Sequence, residues 1–160
     1  MPGRLYAIGD CHGCSVALKT LIDAIDPNQD DTLVFLGDVI DYGPDSKGVI
    51  EQLMALERCC QLVLIHGNHE EMLLHAVNGH DDYQFWLRCG GDATVQNYPG
   101  HDPHMPIDPA HFRFLKDRCR EYHETDEFLF VHANYYPNRH MAEQSGQTLR
   151  WEFLEPGRMA

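Results

Sequence analysis

The stretch that decides the fold runs from Thr32 to Gly43, TLVFLGDVIDYG, in which an apolar run ends at two aspartates. Parallel strands all end at one edge of a sheet, where α/β proteins place their sites. We therefore predict that the polar clusters behind such runs lie together. Three other apolar runs end in the same way: Leu5–Ile8 before GDCHG (residues 9–13), Leu62–Ile65 before HGNHE (66–70), and Phe128–Val131 before HAN (132–134).

The segments between the first three runs predict helices. Ser15–Ile25 carries apolar side chains at helical spacing, and Pro44-Asp45-Ser46 opens a second helix. Glu70–Val77 reads as a third helix, so the order β-α-β-α-β predicts parallel strands joined by right-handed crossovers. Beyond this unit the sequence predicts helices at Asp82–Arg88 and Pro109–Arg120, a loop at Asn97–Pro109, and little apolar sequence after His132 except Leu149–Leu154.

Length, composition and charge narrow the class of protein. A chain of 160 residues with 43% hydrophobic residues fits one domain with a real core. The formal charge of −13 argues against binding a nucleic-acid backbone, which needs a basic face. No apolar run reaches membrane-spanning length, and residues 1–5 lack a secretory signal. We expect a cytoplasmic protein with no nucleic-acid or membrane partner.

Carboxylates, imidazoles and one amide at the strand ends form a donor set suited to small divalent ions. Asp10 and His12 are expected to hold a first ion, and Asn68 and His132 a second. Asp38 lies on the central strand and has two carboxylate oxygens, so it is the natural bridge. Two ions ~3.5–4 Å apart that share a water are typical of dinuclear hydrolases.

His69 follows Asn68 and is expected to point away from the ions, because adjacent side chains diverge. A histidine at this place is suited to protonate a leaving alkoxide as a general acid. Asp41 is the candidate that orients its imidazolium. Either residue alone would be read as a helix cap or surface group, and their occurrence together with the other strand-end residues favours a catalytic site.

Three of these clusters resemble the signature motifs of the calcineurin-like metallophosphoesterases. GDCHG, GDVIDYG and GNHE are similar to GDxHG, GDxxDRG and GNHE of the bacterial and phage serine/threonine phosphoprotein phosphatases. The similarity extends through residues 85–91 to residues 132–134. It implies an α/β fold of the metallophosphoesterase type, with a β-sandwich flanked by helices. It also implies two divalent ions, manganese first and iron, nickel or zinc as alternatives.

Tyr42 departs from the family pattern, because an arginine normally follows the second aspartate of this motif. That arginine would bind the substrate phosphate through a charged fork, whereas a tyrosine offers one neutral hydroxyl. The loss should weaken transition-state stabilisation by ~1.5–3 kcal/mol. Arg88, Arg139 or Arg150 would supply a replacement cation, and Arg150, in the tryptophan-containing segment, is favoured as a substrate-binding residue beside Tyr42.

A second departure concerns the end of the chain. The family pattern has a Gly-His pair after the His-Ala element, which binds the second ion and precedes closing strands, but none follows His132. We therefore expect a single domain at residues 1–160 that lacks its C-terminal strands. We also expect the first ion to be held better than the second. A second copy of the chain is expected to cover the incomplete side of the sandwich.

The leading functional prediction is a metal-dependent phosphomonoester hydrolase that acts on phosphoserine and phosphothreonine proteins or small phosphoesters. A hydrolase of dinucleoside polyphosphates, of the diadenosine tetraphosphate type, is the alternative within the same class. The alternative from another class is a weakly active protein that binds metals and phosphate.

Overall fold

A parallel sheet forms the centre of the molecule, for which the computed structural model describes residues 3–102 and 104–153. Its strands lie in the order β1-β2-β3-β4. Residues from Leu154 onward, part of the predicted domain and of its last apolar segment, lie outside the described ranges. The strands are β1 (Leu5–Ile8), β2 (Thr32–Phe35), β3 (Gln61–Ile65) and β4 (Cys119–Arg120).

Helices connect these strands, and two of them begin at aspartate caps. The Asp45 side chain accepts a hydrogen bond from the Gly48 amide at the start of α2, and Asp108 caps α6 in the same manner. The helices are α1 (Ser15–Ile25), α2 (Ser46–Leu56), α3 (Asn68–Ala76), α4 (His80–Trp86), α5 (Asp92–Gln96), α6 (Pro109–Arg118) and α7 (Gly146–Trp151). Leu87–Gly91 is a π-helical turn between α4 and α5.

One face of the sheet carries the main core. Because the strands follow one another in chain order, right-handed crossovers place the connecting helices on the same face. Leu33, Phe35 and Leu64 point to this face and pack with Ile50 of α2 and Leu73 of α3. This face is closed to solvent around the central strands.

The opposite face is covered by less of the chain. Val34, Val63 and Ile65 form a small second cluster there, with Phe130 packed against it. Phe130 belongs to a two-stranded antiparallel sheet made of β5 (His123–Glu124) and β6 (Leu129–Phe130). The molecule is therefore an α/β fold with helices on one face of its main sheet and a small second sheet at the other.

Two element predictions are wrong. Phe128–Val131 was expected to be a fourth parallel strand, but its central residues form β6, which pairs with β5 through the reversal at residues 125–128. The fourth parallel strand is β4, at the end of the predicted helix Pro109–Arg120. Strands of two residues have no readable periodicity, so their pairing depends on the surrounding chain.

The predicted α/β class, the first three strands and the helices between them are confirmed, with boundaries shifted by one or two residues. Within the described ranges, no helix is both long enough and apolar enough to cross a bilayer.

Candidate metal centre

Two loops at the carboxyl edge of the sheet are joined through their backbones. The amides of Cys11 and His12 donate to the Asp38 carbonyl at 3.1 and 2.9 Å, and the Gly13 amide donates to the Val39 carbonyl at 3.0 Å. The loop after β1 is thereby fixed against the loop after β2. This contact brings the first two polar clusters together.

Backbone carbonyls orient two imidazoles of the site. The Nδ1 atom of His12 lies 2.9 Å from the Ile40 carbonyl oxygen, and that of His132 lies 2.7 Å from the Leu36 carbonyl oxygen. A carbonyl accepts only from a protonated nitrogen, so this pairing places the proton on Nδ1 and turns Nε2 toward the site, as in metal-binding histidines. Both Nε2 atoms face the Asp38 Oδ2 atom, at 3.8 Å for His12 and 3.4 Å for His132.

These separations fit shared ions better than hydrogen bonds. Two atoms that each bind one ion at ~2.0–2.2 Å lie at most ~4.4 Å apart. Two groups of donors meet at Asp38, with ligand atoms within 4.8 Å of one another in each group. The first group contains His12, Asp38 and His69, and the second contains Asp10, Asp38 and His132. Asp38 belongs to both groups, and its role as the bridge between two ions stays a prediction.

Asn68 joins the second group, since its Oδ1 atom lies 3.0 Å from the His132 Nε2 atom. Asp10 groups with His132 here, whereas the sequence paired Asp10 with His12. Because both groups share Asp38, the two positions are adjacent, and which ion Asp10 binds stays a prediction. The donor chemistry of carboxylate, imidazole and amide oxygen fits small divalent ions.

A buried carboxylate orients His69. The His69 Nδ1 atom lies 2.8 Å from Asp41 Oδ2, which also accepts the Trp86 indole N–H at 2.8 Å. The Thr94 hydroxyl donates to the other Asp41 oxygen at 2.6 Å. Asp41 is fully buried, so these partners compensate for its lost hydration.

The environment of His69 favours its charged form. Burial works to lower the pKa of His69, but the hydrogen bond with Asp41 and the charges of Asp38 and Asp41 outweigh it and raise that pKa above its ordinary value. The His69 Nε2 atom lies 4.0 Å from Asp38 Oδ2. The imidazole therefore faces the site with the nitrogen that Asp41 does not use.

Glu70 is a structural part of the site that sequence reasoning missed. Its carboxylate accepts the amides of Asp38 and Val39, at 2.8 and 2.9 Å, and the Gly67 amide at 3.1 Å. Burial raises the pKa of Glu70, and the nearby charge of Asp38 adds to the rise. The signal was present, because a glutamate three residues after a helix N-cap is the capping-box pattern. Trp86 and Thr94 had no comparable local signal.

The site loops adopt left-handed backbone conformations. His12, Asp38, Asp41 and Tyr42 have φ values of 39°, 51°, 72° and 60°. Side chains at such positions cost energy, and this strain concentrates at functional sites. Gly37 has φ 104°, and a Cβ there would lie 2.7 Å from the His132 Nδ1 atom, so only glycine fits.

The two predicted substrate-binding residues differ in location. Tyr42 lies at the site, with its ring centroid 5.0 Å from those of His12 and His69. Arg150 is paired with the carboxylates of Glu71 and Glu121 on the α3 and α7 side. These ion pairs already engage the Arg150 guanidinium, and its role in substrate binding stays a prediction.

Comparison with known proteins places this geometry in a family. The model of the calcineurin-like phosphoesterases matches residues 3–159. Serine/threonine-protein phosphatase 1 of Salmonella typhimurium is 40% identical over 90 residues, which cover 56% of this chain and 39% of that protein. A symmetrical bis(5'-nucleosyl)-tetraphosphatase of Nitrosomonas europaea is 32% identical over 134 residues, which cover 83% of this chain and 45% of that protein.

Solved structures agree on the fold. A putative diadenosine tetraphosphatase superposes with a TM-score of 0.68 at 25% identity, covering 93% of this chain and 60% of that one. A metallophosphoesterase from Sphaerobacter thermophilus gives a TM-score of 0.57 at 19% identity, covering 96% of this chain and 51% of that one. The chain spans less than half the length of the two curated relatives named above.

Proposed function

The chain belongs to the calcineurin-like phosphoesterase family, and we propose that it is a metal-dependent hydrolase of phosphate esters. The observation that carries the proposal is the pair of donor groups that share Asp38, the first of which also contains His69. A single ion would need only one group. A bridging carboxylate with donors on both sides suits two ions.

Asp10, His12, Asp38, Asn68 and His132 would hold the ions. Bound divalent ions would activate a water near neutral pH and offset the charge of the phosphate. Manganese is the first choice, with iron, nickel or zinc as alternatives. All the protein donors are oxygen or imidazole nitrogen, which does not select one of these metals.

His69 is proposed to donate the proton that the leaving oxygen needs. Its Nδ1 atom is held by Asp41, so the proton on Nε2 is the one that can reach the substrate. Asp41 keeps the ring in one orientation and stabilises the imidazolium. Trp86 and Thr94 hold Asp41 in turn, which makes them positioning residues for the same step.

Metal analysis combined with p-nitrophenyl phosphate hydrolysis tests this proposal with manganese, nickel and zinc. We expect bound metal and turnover in the wild type, and loss of both ions and of turnover in Asp38→Ala. Asp117→Ala, which removes an exposed carboxylate at the end of α6, should keep both. Normal metal content in Asp38→Ala would refute the bridging role. Bound metal without turnover would favour a metal- and phosphate-binding protein.

Phosphoserine and phosphothreonine proteins are the proposed substrates. The support is the 40% identity to a serine/threonine phosphatase over 90 residues. The second candidate is a dinucleoside polyphosphate, supported by the match to a bis(5'-nucleosyl)-tetraphosphatase over 83% of this chain. Manganese-dependent release of phosphate from a phosphoserine peptide, compared with cleavage of diadenosine tetraphosphate, separates the two.

A further inference from the structure

The Tyr42 side chain is exposed although aromatic side chains are usually buried. It retains 62% of its accessible surface. Its ring meets His12 edge-on, with an interplanar angle of 73°, and meets His69 at 60°, each at a centroid distance of 5.0 Å. The ring therefore stands beside the metal centre, and much of its surface faces solvent.

The ring is held in one place despite its exposure. The Tyr42 amide donates to the Gly90 carbonyl at 3.2 Å, and a Cβ on Gly90 would lie 2.6 Å from the Tyr42 ring. Gly90 thus lets the ring lie directly on the π-helical turn, with the two imidazoles at its sides. A ring fixed before a ligand arrives loses little entropy on binding.

The position of His69 locates the leaving group. A general acid lies ~2.6–3.2 Å from the oxygen that it protonates. The Tyr42 ring lies 5.0 Å from the His69 ring. A ring attached at or next to that oxygen would therefore come within the ~4.5–7 Å centroid distance at which aromatic pairs attract.

We propose that Tyr42 is a stacking platform for a planar aromatic group on the leaving side of the scissile phosphoester. The inference rests on the proposed hydrolase function and adds a substrate class to it, since phosphoserine and phosphothreonine carry no ring. Tyr42 has no charge with which to bind the phosphate, so its contribution comes from contact between its ring face and the leaving group. A phosphotyrosyl side chain matches this placement because its ring is bonded to the leaving oxygen, whereas the ribose of a nucleotide separates the base from that oxygen.

Two variants separate the ring from the hydroxyl. Tyr42→Phe keeps the ring and removes the hydroxyl, whereas Tyr42→Leu removes the ring and keeps an apolar side chain. Both keep a Cβ at the left-handed φ of 60°, so the backbone strain is matched. Thermal unfolding of each variant checks that the fold is kept.

Turnover is measured on benzyl phosphate and cyclohexylmethyl phosphate, which have leaving alcohols of similar size and differ in the planarity of the ring. We expect Tyr42→Leu to lower the benzyl-to-cyclohexylmethyl ratio of kcat/KM roughly 5- to 10-fold, and Tyr42→Phe to keep that ratio. An equal effect of Tyr42→Leu on both esters would overturn the proposal. A lower ratio in Tyr42→Phe would also overturn it, because the hydroxyl and not the ring would then be the source of the preference for benzyl phosphate.

A binding measurement tests the platform without turnover. Calorimetry with phenylphosphonate and cyclohexylphosphonate, in the presence of Mn²⁺, should give tighter binding of the phenyl compound to the wild type and similar binding of both to Tyr42→Leu. If the wild type prefers phenylphosphonate but hydrolyses none of the phosphate esters, the platform is supported and the hydrolase function is refuted. Hydrolysis without this preference would refute the platform alone. Absence of binding and of hydrolysis would refute both.

Two further substrates test which kind of aromatic group the platform binds. The effect of Tyr42→Leu on kcat/KM is compared between a phosphotyrosyl peptide and diadenosine tetraphosphate, with a phosphoserine peptide of the same sequence as reference. A larger loss on the phosphotyrosyl peptide supports the platform for aryl esters, and a larger loss on the dinucleotide would overturn the placement of the ring next to the leaving oxygen. If Tyr42→Leu lowers kcat/KM on neither substrate by more than it does on the phosphoserine peptide, the proposal is overturned.

Discussion

Three histidines of the metal centre differ in what their Nδ1 atoms contact. Those of His12 and His132 face backbone carbonyl oxygens, whereas that of His69 faces the Asp41 carboxylate. A carbonyl accepts the Nδ1 proton and turns the other ring nitrogen toward the site, as in metal-binding histidines. A carboxylate stabilises the protonated ring. This contrast is the physical basis for assigning two histidines as ligands and one as an acid.

His69→Ala is predicted to reduce kcat severely and to leave metal content unchanged. A positioned general acid contributes ~10²–10⁴-fold to a rate, and the alanine cannot donate a proton. Steady-state kinetics and elemental analysis of the same sample check both parts. His132→Ala serves as the contrasting variant, since it should lose metal. If His69→Ala loses metal as well, His69 belongs among the ligands, as its grouping with His12 and Asp38 allows.

Asp31 forms an ion pair far from the site that affects stability. Its carboxylate accepts hydrogen bonds from the Arg4 side chain, at 3.1 and 2.6 Å, and from the Asn28 amide at 2.9 Å. The Arg4 guanidinium, the Asn28 amide and the Arg4 amide hold the pKa of Asp31 well below its usual range. A depressed native pKa means that the charged form stabilises the fold.

Asp31→Asn is predicted to destabilise the protein at pH 7 but not in strong acid. The stabilisation by Asp31 is complete above the unfolded-state pKa of about 3.9, and it is lost as the pH falls through the lower native value. Thermal unfolding between pH 7 and pH 2 should show a gap in Tm between wild type and variant that narrows below about pH 4. Asp23→Asn, which breaks only the exposed pair with Lys19, should show little gap at any pH. A gap for Asp31→Asn that stays constant with pH would exclude the carboxylate charge as its cause.

At the scale of elements, Glu70 ties the loop after β2 to the start of α3. Its three accepted backbone hydrogen bonds reach Asp38, Val39 and Gly67, and the Asp38 side chain in turn accepts the His69 amide at 3.0 Å. These contacts satisfy amides that a strained loop and a helix N-terminus would leave unpaired. Asp38, the proposed bridge, is thereby held by two elements at once.

Glu70→Gln is predicted to lower the free energy of unfolding by about 1–3 kcal/mol, because the amide keeps one acceptor oxygen and turns its NH2 group toward backbone N–H groups that then lack an acceptor. Chemical denaturation in the presence of a chelator isolates this effect from that of bound metal. Glu51→Gln, at an exposed position on α2, is the matched control and should change stability by less than about 0.5 kcal/mol. Equal stability of the two variants would show that the Glu70 contacts contribute nothing.

At the scale of the whole molecule, the two faces of the main sheet are unequal. Within residues 3–102 and 104–153, the helices cover one face, and the other carries the small cluster of Val34, Val63 and Ile65 with Leu36 and Phe130 against it. Leu5 lies on this second face and is 40% exposed. Apolar surface that remains open on a sheet face favours association.

Leu5→Glu is therefore predicted to weaken self-association of the chain. We expect the wild type to sediment as a concentration-dependent dimer and the variant to shift toward monomer, since a buried charge at the interface is costly. Val16→Glu, on the exposed side of α1, should leave the sedimentation unchanged. A wild type that is monomeric at all concentrations would rule out a second copy as the cover of this face.

Local sequence patterns were enough to predict part of the fold and part of the site. Apolar runs that end at GDCHG, GDVIDYG and HGNHE predicted β1 to β3 and the helices between them. The same ends supplied the donors at Asp10, His12, Asp38 and Asn68. Strand periodicity and polar strand ends are properties of neighbouring residues, so they can be read without knowledge of the rest of the chain.

Only the tertiary structure decided the contacts between distant residues. Asp41 meets Trp86 and Thr94 across 45 and 53 positions of the chain, and Arg150 meets Glu71 across 79. The pairing of β4 with β3 and the pairing of β6 with β5 were likewise decided by packing. Contacts between distant residues depend on how whole helices and strands pack together, and no short stretch of sequence predicts that packing. The sequence thus determined which groups could bind metal, and the fold determined which groups hold them in place.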